Sequence, residues 1–191
     1  EGSGKSFHIN NVANFLKKKK INFIKIREPG GNPNSEKIRK LILNNKSTFN
    51  KSTDLLLYLA SRSENIELIK KNFKKKIILI DRFTDSTIAY QHYGMGIDLR
   101  FINLINQFLL KNIKPDFTFV NLVNKKNMYI RLSKRKNLNR YDKFRDKFYE
   151  KVQKGFSKIV KKNPTKYMVV DSNRDIHSNK KLILTKINKL I

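Results

Sequence analysis

The chain opens with the stretch EGSGKS, whose residue types and spacing suit phosphate binding. Gly2 and Gly4 allow backbone N–H groups to turn toward phosphate oxygens. Lys5 would reach the β- and γ-phosphates of a nucleotide, and the Ser6 hydroxyl would bind Mg²⁺. The stretch matches the second half of a Walker A loop, and a helix beginning here would direct its positive end at the anion. A glycine-serine turn that merely caps a helix is the alternative interpretation.

Two charged clusters follow directly after short β-rich stretches. INFIKI (21–26) is followed by REPGG (27–31), and KIILI leads into DRFTDSTIAYQ (81–91). Guanidinium groups make planar, bidentate contacts with phosphate. The clusters therefore predict a phosphate-binding site where the two strands end.

An aromatic ring and a guanidinium group are spaced to share one face of a helix. Tyr58 and Arg62 are four residues apart in YLASR, within a stretch predicted to be helical. The pair suits recognition of a planar base, although Tyr58 would also fit plain core packing.

A basic segment at 130–148 carries Arg131, Arg135, Arg140 and Arg145 around a break in the apolar periodicity. A solvated surface helix is the default explanation for such a run.

The elements that must position these residues alternate between helix and strand. Strands are predicted at 21–26, 76–81, 116–123 and 167–171. Helices are predicted from the glycine loop to about Lys20 and at 35–43, 53–73, 86–93, 98–110, 125–134, 142–161 and 178–190. Such alternation predicts an α/β fold with a parallel sheet covered by helices on both faces, and ligands at the carboxyl ends of the strands. Without an internal repeat or a linker, residues 1–191 read as a single domain.

Five motifs occur in an order that resembles the bacterial thymidylate kinase family. They are REPGG, Glu36-Lys-Ile-Arg39, DRF-x-x-ST-x-AYQ, YGMGID and the PDFT of 115–118. The resemblance covers most of the chain, and REPGG and DRF-x-x-ST-x-AYQ are specific to that family among P-loop kinases. It implies a P-loop nucleoside-monophosphate-kinase-like fold with a central parallel sheet and a short basic lid at about 132–145. It also implies phosphorylation of dTMP to dTDP for dTTP biosynthesis, with ATP and Mg²⁺, by a cytoplasmic homodimer.

The resemblance assigns phosphate chemistry to residues of the loop, the strand ends and the lid. ATP binding is assigned to Gly2, Ser3, Gly4, Lys5, Ser6 and Arg131. Catalysis is assigned to Lys5, Glu28, Arg82, Arg135 and Arg140. Ser6 would bind Mg²⁺ directly and Asp81 through water. Two alternatives stay open: Asp81 as a helix cap or partner of Arg82, and Glu28 as a turn ion pair.

The resemblance also assigns the acceptor dTMP to a defined set of residues. They are Glu1, Pro29, Arg39, Tyr58, Arg62, Arg82, Thr87, Tyr90 and Gln91. Arg39 and Arg82 would contact the acceptor phosphate, and Tyr58 would stack on thymine where family members usually have Phe. Arg62 would donate to a thymine carbonyl, with Thr87 and Gln91 at the Watson–Crick edge. Tyr90 matches the residue that crowds the sugar 2′ position, and Glu1 matches a loop acid near the 3′-hydroxyl.

Ser3 distinguishes the two family subclasses. It stands where one subclass has an arginine in the loop, so the chain resembles the subclass that supplies transition-state arginines from the lid. Arg135 and Arg140 are the main lid candidates, and Arg131 is a weaker one.

The chain departs from the family pattern at several positions. Val120-Asn-Leu-Val123 stands where LDV is expected, Lys125-Lys126 replaces Pro-Glu, and Asn139 replaces an Asp before a lid arginine. The opening EGSGKS also begins inside the loop. We therefore expect the chain to be N-terminally truncated, with a first strand and the opening glycine ahead of Glu1.

Composition restricts the remaining function classes. The 191 residues carry 43 Lys and Arg against 15 Asp and Glu, a net charge of +28, and no Cys. No apolar run approaches the roughly 20 residues that span a bilayer, which predicts a soluble protein. The lysines are spread along the chain with abundant Asn and Ile, so we do not expect a nucleic acid partner. The alternatives are a deoxynucleoside kinase or another nucleoside-monophosphate kinase and, from a different class, a basic nucleic-acid-binding protein.

Overall fold

Each predicted β-rich stretch forms a five-residue strand in the computed structural model, which describes residues 2–144 and 146–191. The strands are β1 (Phe23–Arg27), β2 (Ile77–Asp81), β3 (Thr118–Leu122) and β4 (Tyr167–Asp171). β1 pairs in parallel with β2, and β3 pairs in parallel with β4. Arg27 lies opposite Asp81 in this register. REPGG and DRF therefore leave the sheet at the same edge.

The predicted single sheet is present as two parallel pairs. Among the described residues, no ladder joins β2 to β3. Ile77 and Leu79 of β2 nevertheless pack into one cluster with Phe119 of β3 and Val170 of β4. Side-chain packing, rather than backbone pairing, therefore connects the two halves.

The helices largely follow the predicted positions. They are α1 (Lys5–Lys18), α2 (Pro33–Leu43), α3 (Lys51–Asn72), α4 (Thr84–Thr87), α5 (Leu99–Leu110), α6 (Lys125–Ser133), α7 (Asp146–Lys162) and α8 (Ile176–Asn188). The predicted helix at 86–93 is divided, because α4 continues as a π-helix over Ile88–Gly94. The start of the predicted helix at 142–161 belongs to a 3₁₀ turn, Arg140–Lys143, which a capping box begins at Asn139.

Helices cover both faces of the first strand pair. Along β2, Ile77 and Leu79 face the cluster with α1 and α8, whereas Ile78 and Ile80 face the cluster with α3 and α5. This alternation follows from the two-residue period of a strand. It confirms the predicted α/β class. Within the described residues, no helix has the length and apolar character needed to cross a membrane.

Candidate active site

The glycine loop takes a backbone shape that suits an anion. Gly2 and Gly4 have φ of 63° and 76°, in the left-handed region that favours glycine. Gly4 is the N-cap of α1 and provides no side-chain cap, so first-turn N–H groups of the helix can face a ligand. Lys5 Nζ lies 3.5 Å from Ser3 Oγ at the same point. The loop and the helix start thus form a phosphate cradle.

Arg131 holds this loop through its backbone. Its guanidinium donates to Gly2 O at 2.9 Å and to Ser172 O at 2.7 Å. Ser172 Oγ in turn donates to Ser3 O at 2.9 Å. Among the described residues, Arg131 does not line the main cavity of the site. Its contact with ATP remains a prediction.

The REPGG loop is fixed by α3. Ser61 Oγ accepts from Gly30 N at 3.0 Å, and Asn65 Nδ2 donates to Gly30 O at 2.7 Å. Gly31 has φ of 112°, and a Cβ there would lie 2.8 Å from Ile26 Cγ2, so a larger residue would strain the turn. Ser61 and Asn65 were not predicted as site residues. With Tyr58 and Arg62 they form a polar stripe at helical spacing, a signal that would have revealed them.

The two arginines beside this loop have different partners. Arg39 Nη1 donates to Pro29 O at 2.7 Å, and burial lowers the pKa of Arg39 below its ordinary value. Arg27 pairs with Glu36 at 2.9 Å in a half-exposed ion pair. The Arg27 contact holds the pKa of the Glu36 carboxyl below its usual range.

Glu28 and Arg62 form a buried ion pair. Arg62 Nη2 lies 2.7 Å from Glu28 Oε2, and the two side chains are only 2% and 3% exposed. Burial raises the pKa of Glu28, and the Arg62 charge opposes that effect. Glu28 Oε1 is buried without a hydrogen-bond partner among the described residues. This oxygen is therefore suited to accept from a bound group.

Arg62 also joins two further side chains. It donates to Thr87 Oγ1 at 2.9 Å and to Asn106 Oδ1 at 2.6 Å. The structure thus brings Glu28, Arg62 and Thr87, all predicted site residues, into one network. Asn106 on α5 was not predicted, since a lone Asn in an amphipathic helix gives no signal.

Arg82 has an uncommon backbone conformation at the end of β2. Its φ of 68° lies in the left-handed region, which non-glycine residues seldom adopt away from functional sites. The guanidinium carbon lies 4.8 Å from the centre of the Tyr90 ring. Asp81, the last residue of β2, accepts from Glu28 N at 2.9 Å through its backbone oxygen. The backbone thus connects the two charged clusters.

Aromatic and amide groups form another part of the site, which we call the Tyr58 wall. The rings of Tyr58 and Tyr141 meet edge to face with centroids 5.8 Å apart. Gln91, 1% exposed, donates to Tyr141 Oη at 3.4 Å. Burial raises the pKa of the Tyr58 hydroxyl, which therefore stays protonated. This wall offers a ring face beside hydrogen-bonding groups.

One cavity of about 380 Å³ unites these parts. The predicted residues that line it are Gly2, Ser3, Gly4, Lys5, Ser6, Glu28, Pro29, Arg39, Tyr58, Arg62, Asp81, Arg82, Thr87, Tyr90, Gln91 and Arg135. The lining residues that were not predicted as site residues are Phe7, Arg27, Leu43, Phe83, Ser86, Asn139 and Tyr141. Glu1 lies outside the described residues, as does Arg145.

The two main lid candidates lie in different surroundings. Arg135 lines the cavity and donates to Asp142 at 3.0 Å. Arg140 instead pairs with Asp54 at the start of α3 and lines a second, adjacent cavity. Of these two arginines, the structure brings only Arg135 to the main cavity.

The chain matches known proteins along nearly its whole length. A family profile described as thymidylate kinase matches residues 1–183. The chain belongs to the thymidylate kinase family. It is 39% identical over 178 residues to a thymidylate kinase of Thermosipho africanus, covering 92% of this chain and 88% of that protein. It is 38% identical over 183 residues to one of Mycoplasma capricolum, covering 92% and 85%.

A solved structure supports the same family assignment. The crystal structure of thymidylate kinase from Ehrlichia chaffeensis superposes with a TM-score of 0.79 at 31% identity, covering 98% of this chain and 93% of that one. These matches confirm the predicted fold class and the resemblance read from the motifs. Membership in the thymidylate kinase family makes the chain a phosphotransferase and disfavours the nucleic-acid-binding alternative.

Proposed function

We propose that this chain transfers the terminal phosphoryl group of ATP to dTMP and releases dTDP and ADP. The observation that supports this most is the single cavity in which the glycine loop meets REPGG, DRF and the Tyr58 wall. Phosphoryl transfer depends on positioning and on neutralisation of charge more than on covalent chemistry by the protein. The N–H and cationic groups of this cavity would neutralise charge, and its hydrogen-bonding groups and ring face would position the substrates.

The donor nucleotide fits the loop end of the cavity. The left-handed glycines and the uncapped start of α1 offer backbone N–H groups, and Lys5 adds a positive charge. Ser6 and Asp81 both line the cavity and would hold Mg²⁺, Ser6 directly and Asp81 through water. When bound, Mg²⁺ supplies positive charge against the phosphate oxygens. We assign Arg131 to support of the loop on which ATP lies.

The acceptor phosphate fits between Arg39 and Arg82. Both residues line the cavity, Arg39 from α2 and Arg82 from the position directly after β2. Arg82 stands one residue beyond Asp81 and is placed to bridge the acceptor and the transferring group. Planar guanidinium groups suit this contact because they bind phosphate oxygens in pairs.

Thymine fits the Tyr58 wall. Tyr58 would stack on the base, and Thr87 and Gln91 would meet its hydrogen-bonding edge. Arg62 would donate to a thymine carbonyl from within the Glu28 network, which already fixes its orientation. Tyr90 beside Arg82 would crowd the sugar 2′ position and favour deoxyribose.

Substrate selectivity tests this proposal. We expect MgATP-dependent phosphorylation of dTMP with a kcat/KM at least about 100-fold above that for dCMP, because a site that hydrogen-bonds one base edge leaves groups unpaired with the other. The assay compares dTMP, dCMP, dGMP and thymidine at equal concentration. Comparable kcat/KM for dCMP would contradict thymine recognition, and preference for thymidine would favour a deoxynucleoside kinase.

We also propose that the chain acts as a cytoplasmic homodimer. Phe101, Leu104 and Phe108 of α5 share one helical face and are 43%, 63% and 76% exposed. An apolar face of this kind suits a second copy of the chain. Sedimentation of the wild type and of Leu104→Glu checks this assignment: we expect a dimer and a monomer, respectively.

A further inference from the structure

Asp54 is a buried carboxylate to which the proposed phosphoryl transfer assigns no role. It lies in the first turn of α3 and is 2% exposed. An acid in the first turn of a helix is usually explained by the helix dipole, which needs no burial. Both oxygens of Asp54 instead contact groups of the lid. Oδ1 accepts from Arg140 Nη2 and Oδ2 accepts from the Tyr141 hydroxyl, 86 and 87 residues further along the chain.

The three side chains form a desolvated unit. The Arg140 side chain is 12% exposed, and Tyr141 is 2% exposed. The Arg140 guanidinium lies 5.7 Å from the Phe49 ring centre and 5.3 Å from that of Tyr141. Burial raises the pKa of the Tyr141 hydroxyl, so it stays protonated and donates to Asp54. Loss of either donor would leave a buried carboxylate poorly compensated.

This unit continues into the main cavity. Tyr141 lines that cavity, packs against Tyr58 and accepts from Gln91, both of which we assign to thymine. The turn that carries Tyr141 is closed by a capping box between Asn139 and Asp142. Asp142 also accepts from Arg135. A displacement of this turn would therefore move the nucleoside wall and Arg135 together.

We propose that Asp54 is a positioning residue for phosphoryl transfer, which fixes the Arg140–Tyr141 turn against α3. Tyr141 is thereby held in the nucleoside wall, and Arg135 is held at the cavity. Arg140 acts through Asp54, not by contact with the transferring phosphoryl group, which leaves that contact to Arg135. This inference rests on the proposed dTMP kinase activity.

A double-variant cycle tests the assignment. We expect Asp54→Asn and Arg140→Ala each to lower kcat/KM for dTMP about tenfold or more, since each removes a hydrogen bond of a buried charged group. The combined variant should be no worse than the poorer single variant, because both disrupt one unit. If Arg140 contacted the phosphoryl group independently, the two losses would multiply, and that result would overturn the proposal. Asp98→Asn is the matched control, since Asp98 caps α5 and pairs with Arg100 at the surface.

A second measurement does not depend on activity. Trypsin cleavage after Arg140, identified by mass spectrometry, should accelerate at least about tenfold in Asp54→Asn, because the wild-type side chain is held by Asp54. Cleavage after the exposed Lys111 provides the internal reference. Equal cleavage in wild type and variant would refute the positioning role. A wild type that fails to phosphorylate dTMP would refute the proposed function instead, and the cleavage result would still be informative about the turn.

Tyr141→Phe covers the case in which Asp54→Asn does not fold. This variant removes only the hydroxyl that contacts Asp54 and Gln91. We expect KM for dTMP to rise about fivefold or more, with a smaller change in kcat, because the nucleoside wall is displaced. An unchanged KM together with unchanged cleavage after Arg140 would overturn the proposal.

Discussion

The acceptor wall and the lid surround the same cavity but are built differently. In the acceptor wall, Glu28 and Arg62 are 2–3% exposed, and the guanidinium is held by three different side chains. In the lid, the Arg135 side chain is 39% exposed and donates to Asp142, seven residues further along the chain. Buried polar groups that hydrogen-bond to one another give a fixed geometry, whereas exposed side chains can move when substrate arrives. The acceptor wall is therefore suited to select the substrate, and the lid is suited to stabilise the charge on the phosphoryl group during transfer.

Arg62→Ala tests the acceptor wall, and we expect it to cause the largest loss of stability among these substitutions. Removal of one partner leaves Glu28 charged, buried and uncompensated, so we expect a loss of about 3–5 kcal/mol in the free energy of unfolding. Urea unfolding followed by circular dichroism measures it. Adding Glu28→Gln to this variant should recover part of the loss, because it removes the uncompensated charge.

The matched control for Arg62 is Arg100→Ala. The Arg100–Asp98 pair is 92% and 49% exposed at the side chains, and we expect its loss to leave the unfolding midpoint unchanged. Equal destabilisation by Arg62→Ala and Arg100→Ala would show that burial of the Glu28 pair contributes nothing.

Arg135→Ala tests the lid side, where we expect an effect on chemistry and not on stability. The Arg135 side chain is partly exposed and its partner Asp142 keeps the hydrogen bonds from Asn139, so the free energy of unfolding should change by less than about 1 kcal/mol. The phosphoryl-transfer rate should fall about 10²-fold or more, with arginine-finger losses of about 10³–10⁵-fold as the upper range. Single-turnover kinetics measure it, because slow product release would mask a chemical defect. Lys136→Ala, at the next exposed basic residue, serves as the control, and equal rates in both variants would contradict the lid role.

Glu36→Gln tests the partly exposed Arg27–Glu36 ion pair, and we expect it to have the smallest effect on stability. Arg27 lowers the pKa of Glu36 in the folded state, so this pair contributes its full stabilisation above the unfolded pKa of about 4.3 and loses it as the pH falls through the lower folded-state pKa. Both side chains are partly exposed, which limits the effect to less than about 1 kcal/mol. Thermal unfolding at pH 7 and pH 3 should separate wild type from Glu36→Gln only at the higher pH. A larger difference at pH 3 would reverse the assigned sign.

The sequence by itself determined the elements and the local motifs. The strand predicted at 167–171 is β4, and REPGG and DRF follow the ends of β1 and β2 as predicted. These features depend on neighbouring residues: apolar periodicity defines a strand, and parallel pairing brings strand ends to one edge. Sixteen predicted site residues meet in one cavity for that reason.

The tertiary structure alone decided which partner each charged group has. Arg140 carries the same motif signal as Arg135, yet it pairs with Asp54, and Arg62 is held by residues 25 to 44 positions away. Asn106 entered the site on the same basis. Pairings of this kind depend on how helices pack and on which groups lose water together, and no local pattern encodes either. The sequence therefore identified the chemistry, and packing selected the residues that hold it in place.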